Sequence, residues 1–163
     1  MTSRRRFVSG LAALAVVARP GRASAKNILQ SADETGAFAF FLKAVKITGM
    51  RDFLSGEGPF TLFAPTDDAF TKLPKTMFNA LFNDDSTASK EKLRVLLYNH
   101  VLNGTVMARD ITGRRREAVT VPGGILLIDG THGFTVDNAK VTRSDIMADN
   151  GVVHVIDTVL VPR

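Results

Sequence analysis

Residues 60–70 read FTLFAPTDDAF, and this stretch does most to decide the fold. Its first four residues are large and apolar or β-branched, a composition that is typical of a buried strand. Ala64-Pro65 then ends the strand, and either Thr66 or Asp67 is placed to cap a helix whose apolar face begins at Phe70. The stretch therefore predicts a strand that runs directly into a turn and a helix.

A second stretch, residues 145–157, reads DIMADNGVVHVID. Asn150-Gly151 predicts a tight turn in which the glycine supplies a positive φ, and an apolar strand follows over 152–156. Each of the two stretches joins a strand to a turn. Their residues are explained by folding alone and require no catalytic chemistry.

The remaining pattern divides the chain into a helical first half and a strand-rich second half. Asn27 is a candidate helix cap, and apolar spacing predicts helices over 36–48, 50–54, 74–82 and 90–99. After His100, short β-rich segments separated by turns predict strands over 119–121, 125–128, 134–136, 140–142 and 152–156. Helices first and strands later predict an α+β domain.

Residues 1–25 have the three parts of an export signal. Arginines at 4–6 form a positive start, residues 8–18 are small or apolar, and Ala23-Ser24-Ala25 is a small-x-small cleavage site. The apolar run has 11 residues, whereas a membrane-spanning helix needs roughly 20. The segment therefore predicts a cleaved signal peptide at 1–25 rather than a membrane anchor, followed by a domain at 26–163.

The arginines also bear on the route of export. Residues 3–8, SRRRFV, resemble a twin-arginine signal, which is an address read by a receptor. A plain basic start for general secretion is the alternative. The twin-arginine type predicts a bacterial protein, and either signal predicts a protein that works in the periplasm or outside the cell. No later run is apolar enough to span a membrane.

The positive charge of the chain lies in the predicted signal. The whole chain has 21 Lys and Arg, 16 Asp and Glu, and a formal net charge of +5. Residues 1–25 hold five arginines and no acid, so residues 26–163 hold 16 basic and 16 acidic residues. This balance argues against nucleic acid as a partner. Arg114-Arg115-Arg116, in an expected loop, is interpreted as a solvated surface, with polyanion contact as the alternative.

Residues that carry catalytic or metal chemistry are few. The chain has no Cys, which excludes a thiol nucleophile and a Cys-zinc site. It has no G-x-S-x-G elbow, and His100, His132 and His154 form no H-x-x-x-H pair. We therefore expect no catalytic residue, no metal and no cofactor.

Three segments carry a resemblance to a known family. Residues 60–70 and 145–157 resemble the two signature boxes of the fasciclin-domain family, and LLYNHVL at 96–102 resembles its central histidine segment. The resemblance covers 27–162 and implies a wedge of two β-sheets with a helical cluster along one side. The motif residues interpreted as structural are Thr66, Asp67, His100, Asn150 and Gly151.

His100 follows Leu96 and Leu97, so its ring is expected to point inward and to need hydrogen-bond partners. We expect one of these hydrogen-bond partners of the ring to be an acid or a threonine of residues 60–70.

The resemblance implies a non-catalytic adhesion or interaction module that contacts a cell-surface or extracellular protein or a polysaccharide. In some relatives, contacts are assigned to an aspartate–isoleucine pair and to a tyrosine beside the central histidine. These motifs make Asp145, Ile146, Tyr98 and His100 candidate interaction residues. Asn99 separates Tyr98 from His100, so the second motif is imperfect.

The resemblance also implies an alternative function. Some fasciclin-like proteins bind carotenoids in a groove between helices and sheet, so the chain could carry a carotenoid or a lipid. The candidate groove residues are Phe38, Phe41, Met77, Phe78 and Phe82. Large apolar residues at helical spacing more often belong to a plain core.

Overall fold

The computed structural model describes residues 26–162, so the predicted signal peptide at 1–25 lies outside the described residues. The helices are α1 Ile28–Asp33, α2 Ala39–Thr48, α3 Arg51–Leu54, α4 Asp67–Thr71, α5 Lys75–Phe82, α6 Thr87–Tyr98 and α7 Ala108–Ile111. The strands are β1 Phe60–Pro65, β2 Val101–Asn103, β3 Arg115–Val119, β4 Ile125–Asp129, β5 Thr135–Val136, β6 Ala139–Ala148 and β7 Gly151–Ile156. The α+β prediction is confirmed.

The strands are hydrogen-bonded in the order β2-β1-β7-β6-β5-β4-β3. β1 and β7 run parallel, and the other pairs are antiparallel. The two sheets of the expected wedge are two sections that share β6, whose first residues pair with β5 and whose remainder pairs with β7. Two register shifts between Val141 and Ile146 bend this strand. A bridge between Leu102 and Thr120 then brings the two ends of the sheet together.

The central strands β1 and β7 are buried along their whole length and separate two cores. Side chains alternate along a strand, so Leu62 and Val153 pack against the helices, whereas Phe63 and Ile156 pack inside the curled sheet. Burial on both faces explains why both strands read as continuous apolar runs rather than as alternating patterns.

The two sequence boxes fix the ends of these strands. Asn150 accepts a hydrogen bond from Ile28 N at 2.9 Å and donates to Leu54 O at 2.8 Å and to Gly56 O at 3.0 Å. A Cβ on Gly151 would lie 1.9 Å from Phe60 O. Glycine is therefore required here by the close approach of the two backbones.

The first box holds the helices onto the sheet. Thr66 is the cap of α4, since its hydroxyl accepts from Ala69 N at 3.3 Å. Asp67 instead accepts from Phe40 N at 2.9 Å and so holds the first turn of α2. The sequence predicted that either residue could cap α4. The structure shows that Thr66 is the cap and that Asp67 instead bonds to α2.

Several predicted boundaries were wrong. α2 begins at Ala39 rather than at residue 36, because Gly36 has a left-handed φ of 69°. Residues 115–116 are not in a loop but open β3, a charged strand at the edge of the sheet. β6 extends far beyond residues 140–142 because its bulge interrupts the alternation that a strand normally shows. The short helix α7 had not been predicted.

We predict that Asn150→Ala lowers the free energy of unfolding by roughly 2–3 kcal/mol, since it leaves one buried donor and two carbonyls without their partner. The measurement is urea denaturation at neutral pH. The control is Asn83→Ala, which removes one exposed bond to Asn79 and should cost under about 0.5 kcal/mol. Equal midpoints for the two variants would contradict the role given to Asn150.

Candidate functional site

His100 lies at the junction of α6, β1 and the C-terminal segment, and it is almost fully buried. Leu160 N donates to its Nε2 at 2.9 Å, so the proton is on Nδ1, which lies 2.7 Å from Leu96 O. Its backbone carbonyl accepts from Phe63 N at 2.9 Å. The expected ring partner, an acid or threonine of residues 60–70, was wrong. Both ring partners are backbone groups, because Thr66 and Asp67 already serve α4 and α2.

Burial lowers the pKa of His100 to about 4 and outweighs the opposing effect of the bond to Leu96 O. The ring is therefore neutral at physiological pH. A neutral ring with both nitrogens bonded to backbone has no free site for a ligand or for proton transfer. Among the four candidate interaction residues, His100 is thus enclosed in the core, where it joins three segments.

His154 is a second buried histidine, which the sequence analysis considered only in its argument against a metal site. It stacks on Phe63 at 5.5 Å between ring centroids and meets Phe134 edge-on at 5.0 Å. Asp145 N donates to its Nδ1 at 3.1 Å, so the proton on Nε2 is donated to Val106 O at 2.6 Å. Burial lowers the pKa of His154, with smaller opposing effects of Val106 O and of the Asp145 charge. The sequence feature that could have indicated this burial is the position of His154, a single histidine within the otherwise apolar run at 152–156.

Asp145 and Ile146 lie at the bulge of β6. Asp145 has a φ of 57°, and its Oδ1 accepts from Ala108 N at 2.9 Å and lies 4.0 Å from His154 Nδ1. Its carboxylate therefore supports the start of α7, although about a third of the side chain stays exposed. Ile146 is half-buried against the helical core. An interaction role for this pair stays a prediction.

Tyr98 is half-buried on α6, and its ring meets Phe53 edge-on at 5.2 Å. His100, two residues later, is enclosed at the end of the helix. The structure therefore gives the two residues different environments, one partly open to solvent and one closed.

The predicted groove residues do not line one groove. Phe38 and Phe41 belong to the buried core. Phe78 and Phe82 pack on each other and on Phe40, with ring centroids 4.8–5.9 Å apart. Phe78 lines a small depression beside Phe40 and Phe70, so the expectation that the five residues line one groove was wrong. Met77 lines a different, mainly apolar depression between α5 and α6.

That depression, named here the α5–α6 groove, has a volume of about 640 Å³. Its apolar walls come from both helices and from the C-terminal tail. Glu91 and Lys92 are the charged residues among those that line it. The tail could not be assigned to the groove from sequence, because Val161 and Pro162 follow the last strand without any pattern. The apolar lining residues are Met77, Ala80, Leu81, Val95, Leu96, Val161 and Pro162.

The groove opens onto a wider apolar surface. Val95 and Val161 also line a neighbouring depression that contains Ile125, at the start of β4. Val119 lies directly opposite Ile125 in the β3–β4 ladder, and Leu127 follows on the same side of β4. We call these five exposed residues the apolar patch. Met147 on β6 is the remaining large apolar side chain exposed in the described part of the chain.

Residues 26–162 hold neither a metal-binding cluster nor a membrane-spanning helix. No group of three or more His, Asp or Glu side chains that could hold a metal ion was found there. The longest of the described helices, α6, has 12 residues, and none of these helices could cross a membrane.

We predict that His100 makes the protein less stable as the pH falls. The unfolded ring takes up a proton below its ordinary pKa of 6.5, whereas the folded ring resists protonation down to about 4. The neutral His100 ring therefore makes its full contribution to the free energy of unfolding above pH 6.5. This contribution declines toward pH 4, by about 3 kcal/mol in total. His100→Gln should be less stable at pH 7, and its deficit should narrow over this range of pH.

The measurement is urea denaturation at pH values from 4 to 7. His132→Gln, at an exposed position, is the control and should follow the pH dependence of the unsubstituted protein. A deficit of His100→Gln that stays constant with pH would contradict the buried neutral ring.

The chain is similar to known proteins in both sequence and structure. A model of the fasciclin domain matches residues 36–162. The uncharacterized protein sll1735 of Synechocystis sp. is 40% identical over 134 residues, which span 82% of this chain and 96% of that protein. The transforming growth factor-beta-induced protein ig-h3 of Sus scrofa is 34% identical over 139 residues, which span 83% of this chain and 19% of ig-h3.

A solved structure has the same fold. A FAS1 domain pair from the insect cell adhesion molecule fasciclin I superposes with a TM-score of 0.66 at 18% identity, over 83% of this chain and 50% of that chain. The chain therefore belongs to the fasciclin-domain family.

Proposed function

We propose that this protein is an exported, non-catalytic interaction module that adheres to a protein or polysaccharide of the cell surface or matrix. The observation that carries the proposal is the apolar patch, in which exposed Val95, Val119, Ile125, Leu127 and Val161 lie together. Contiguous apolar surface of this kind is typical of interaction sites. Fasciclin domains occur in cell-adhesion proteins, which supports the same function.

The hydrogen bonds of the two buried histidines, His100 and His154, are consistent with a function that needs no catalytic residue. Both buried histidines hold their ring nitrogens in bonds to backbone groups. Nucleophilic catalysis would require a base that is free to accept a proton beside a nucleophile. Export rests on the predicted signal peptide, and extracellular fasciclin relatives support it.

We predict that Ile125→Glu weakens retention of the labelled protein on host cells, matrix protein or matrix polysaccharide by about tenfold. A charge placed in a desolvated contact is expected to cost at least about 1.4 kcal/mol, which is a factor of ten in affinity. Met147→Glu is the matched control, because Met147 is equally exposed but lies outside the apolar patch. Both sites face solvent, so melting temperatures should change by only a few degrees.

The two variants separate three outcomes. Loss with Ile125→Glu alone supports the apolar patch as the adhesive surface. Loss with Met147→Glu alone would instead place adhesion beside Asp145 and Ile146. No retention of the unsubstituted protein on any of the three materials would overturn the adhesive function.

A second function, the carriage of a carotenoid or lipid, is favoured by the α5–α6 groove. Its volume of about 640 Å³ lies within the roughly 300–1,000 Å³ of small-molecule sites, and its walls are mainly apolar. Met77, Leu81 and Val161 would contact the chain of such a ligand.

We predict that Ala80→Trp, which fills the α5–α6 groove, lowers the amount of bound lipid or pigment by at least about fivefold if the protein is a carrier. The measurement is absorbance and solvent extraction of protein purified from its native host. Ala88→Trp, at an exposed position on α6 outside the groove, should retain the ligand. Colourless and lipid-free protein would exclude the carrier function, and equal loss of ligand in both variants would exclude the α5–α6 groove as its site.

A further inference from the structure

Asn99 caps the end of α6, and the oxygen of its side-chain amide has no hydrogen-bond partner among residues 26–162. The residue is only 5% exposed, and its Nδ2 donates to Leu160 O at 3.0 Å. Because a carbonyl oxygen only accepts, this bond fixes the orientation of the amide and turns Oδ1 away from Leu160. An amide oxygen at this degree of burial normally has a donor. Oδ1 therefore indicates a place where a donor from another molecule can bind.

A depression in the apolar patch gives solvent access to this oxygen. In the described part of the chain, every closed-off side-chain nitrogen or oxygen has a partner, so Oδ1 must be in contact with solvent. Asn99 lines the depression together with Val95, about one turn earlier on α6. Ile125 of β4 and Val161 of the tail line it as well. These three apolar residues are exposed, whereas Asn99 is nearly buried. We call the depression the Asn99 pocket, with an acceptor at its base and apolar side chains around its mouth.

Gly124 leaves the base of the Asn99 pocket open. A Cβ at this position would lie 3.0 Å from Asn99 Oδ1 and 2.9 Å from Thr120 Oγ1, which is closer than a side chain normally approaches. The φ of Gly124 is outside the left-handed region, so its backbone does not itself require glycine. An alanine here would cover Oδ1 while the bond to Leu160 O and the apolar mouth stay in place.

The size and chemistry of the Asn99 pocket suit one side chain. Its volume is about 230 Å³, below the roughly 300–1,000 Å³ of sites that enclose a whole ligand. The occupant needs an apolar body for the walls and a donor at its tip for Oδ1. Tyrosine has both, whereas the indole N–H of tryptophan lies on the side of its ring. Lysine and arginine would bring a charge that loses water, and Asp137, the carboxylate in this pocket, already accepts from Leu127 N at 2.8 Å.

We propose that the Asn99 pocket binds a tyrosine side chain of a partner protein. The ring packs between Val95, Ile125 and Val161, and the hydroxyl donates to Asn99 Oδ1. A tyrosine seated in a pocket is a typical anchor of a protein interface, and its hydroxyl satisfies the acceptor that the fold leaves open. This inference rests on the proposed function as an interaction module, and it selects a protein rather than a polysaccharide as the partner.

A second copy of this chain does not supply the tyrosine. The chain has one Tyr, and the ring of that residue, Tyr98, is half-buried against Phe53 at 5.2 Å between ring centroids. Insertion into the pocket of another copy would require this ring to leave its own domain. The partner is therefore a different protein with an exposed tyrosine.

The first test is a titration of the purified protein with 4-methylphenol, the side-chain analogue of tyrosine. Binding is followed by the NMR signals of the Asn99 side-chain amide and of Gly124 N. Toluene keeps the ring and lacks the donor, and n-butylammonium is the analogue of lysine. We expect 4-methylphenol to shift both signals and to bind at least about fivefold more tightly than toluene, because only the phenol donates to Oδ1. It should also bind more tightly than n-butylammonium.

The second test covers the acceptor. Gly124→Ala should lower 4-methylphenol binding at least about fivefold, to the level of toluene, because the new Cβ lies over Oδ1. Toluene should bind this variant within about twofold of its original affinity, which also shows that the variant is folded. Gly56→Ala is the matched control, because its Cβ meets Phe53 O at 3.1 Å and lies outside the pocket. It should leave 4-methylphenol binding unchanged.

Three results would overturn this inference: equal binding of 4-methylphenol and toluene, tighter binding of n-butylammonium, or full 4-methylphenol binding by Gly124→Ala. In the retention assay, Gly124→Ala should weaken retention on host cells or matrix protein at least about tenfold. Retention on polysaccharide alone would exclude the tyrosine anchor. Retention that is lost with Ile125→Glu but kept with Gly124→Ala would also exclude it, and adhesion through the apolar patch would then still stand.

Discussion

The parallel pairing of β1 with β7 is the constraint on which the rest of the structure depends. β1 lies in the helical half of the described chain and β7 near its end, and both strands are buried on both faces. Their contact is so close at its start that Gly151 lies against the backbone of Phe60 with no room for a Cβ. Closing this pair brings the helical half and the strand-rich half together, and each half then covers one face.

Two histidines supply hydrogen-bond partners to backbone groups that this arrangement buries. Chain ends and crossovers next to a doubly covered sheet leave backbone groups far from water, and such groups need partners. His100 accepts from Leu160 N and donates to Leu96 O, whereas His154 accepts from Asp145 N and donates to Val106 O. The rings have opposite tautomers because their neighbours differ. Their lowered pKa values follow from burial and do not indicate catalysis.

Sequence predicted the parts of the fold that depend on neighbouring residues and missed those that depend on distant ones. The strand and helix of residues 60–70, a helix cap at Thr66 or Asp67 and the turn at Asn150 are local, and periodicity located the main helices. The length of β6 was hidden by its bulge, and β3 was hidden because an edge strand carries charges that a central strand cannot. The α5–α6 groove was missed because its tail wall, Val161 and Pro162, comes from the end of the described chain.

The apolar patch lies where the two ends of the sheet meet, since Val119 precedes Thr120, which bridges to Leu102. In the proposed adhesive contact, burial of Val119, Ile125 and Leu127 would supply most of the affinity, because apolar area is what binding removes from water. Hydrogen bonds to a partner would replace bonds to water and give little net free energy each.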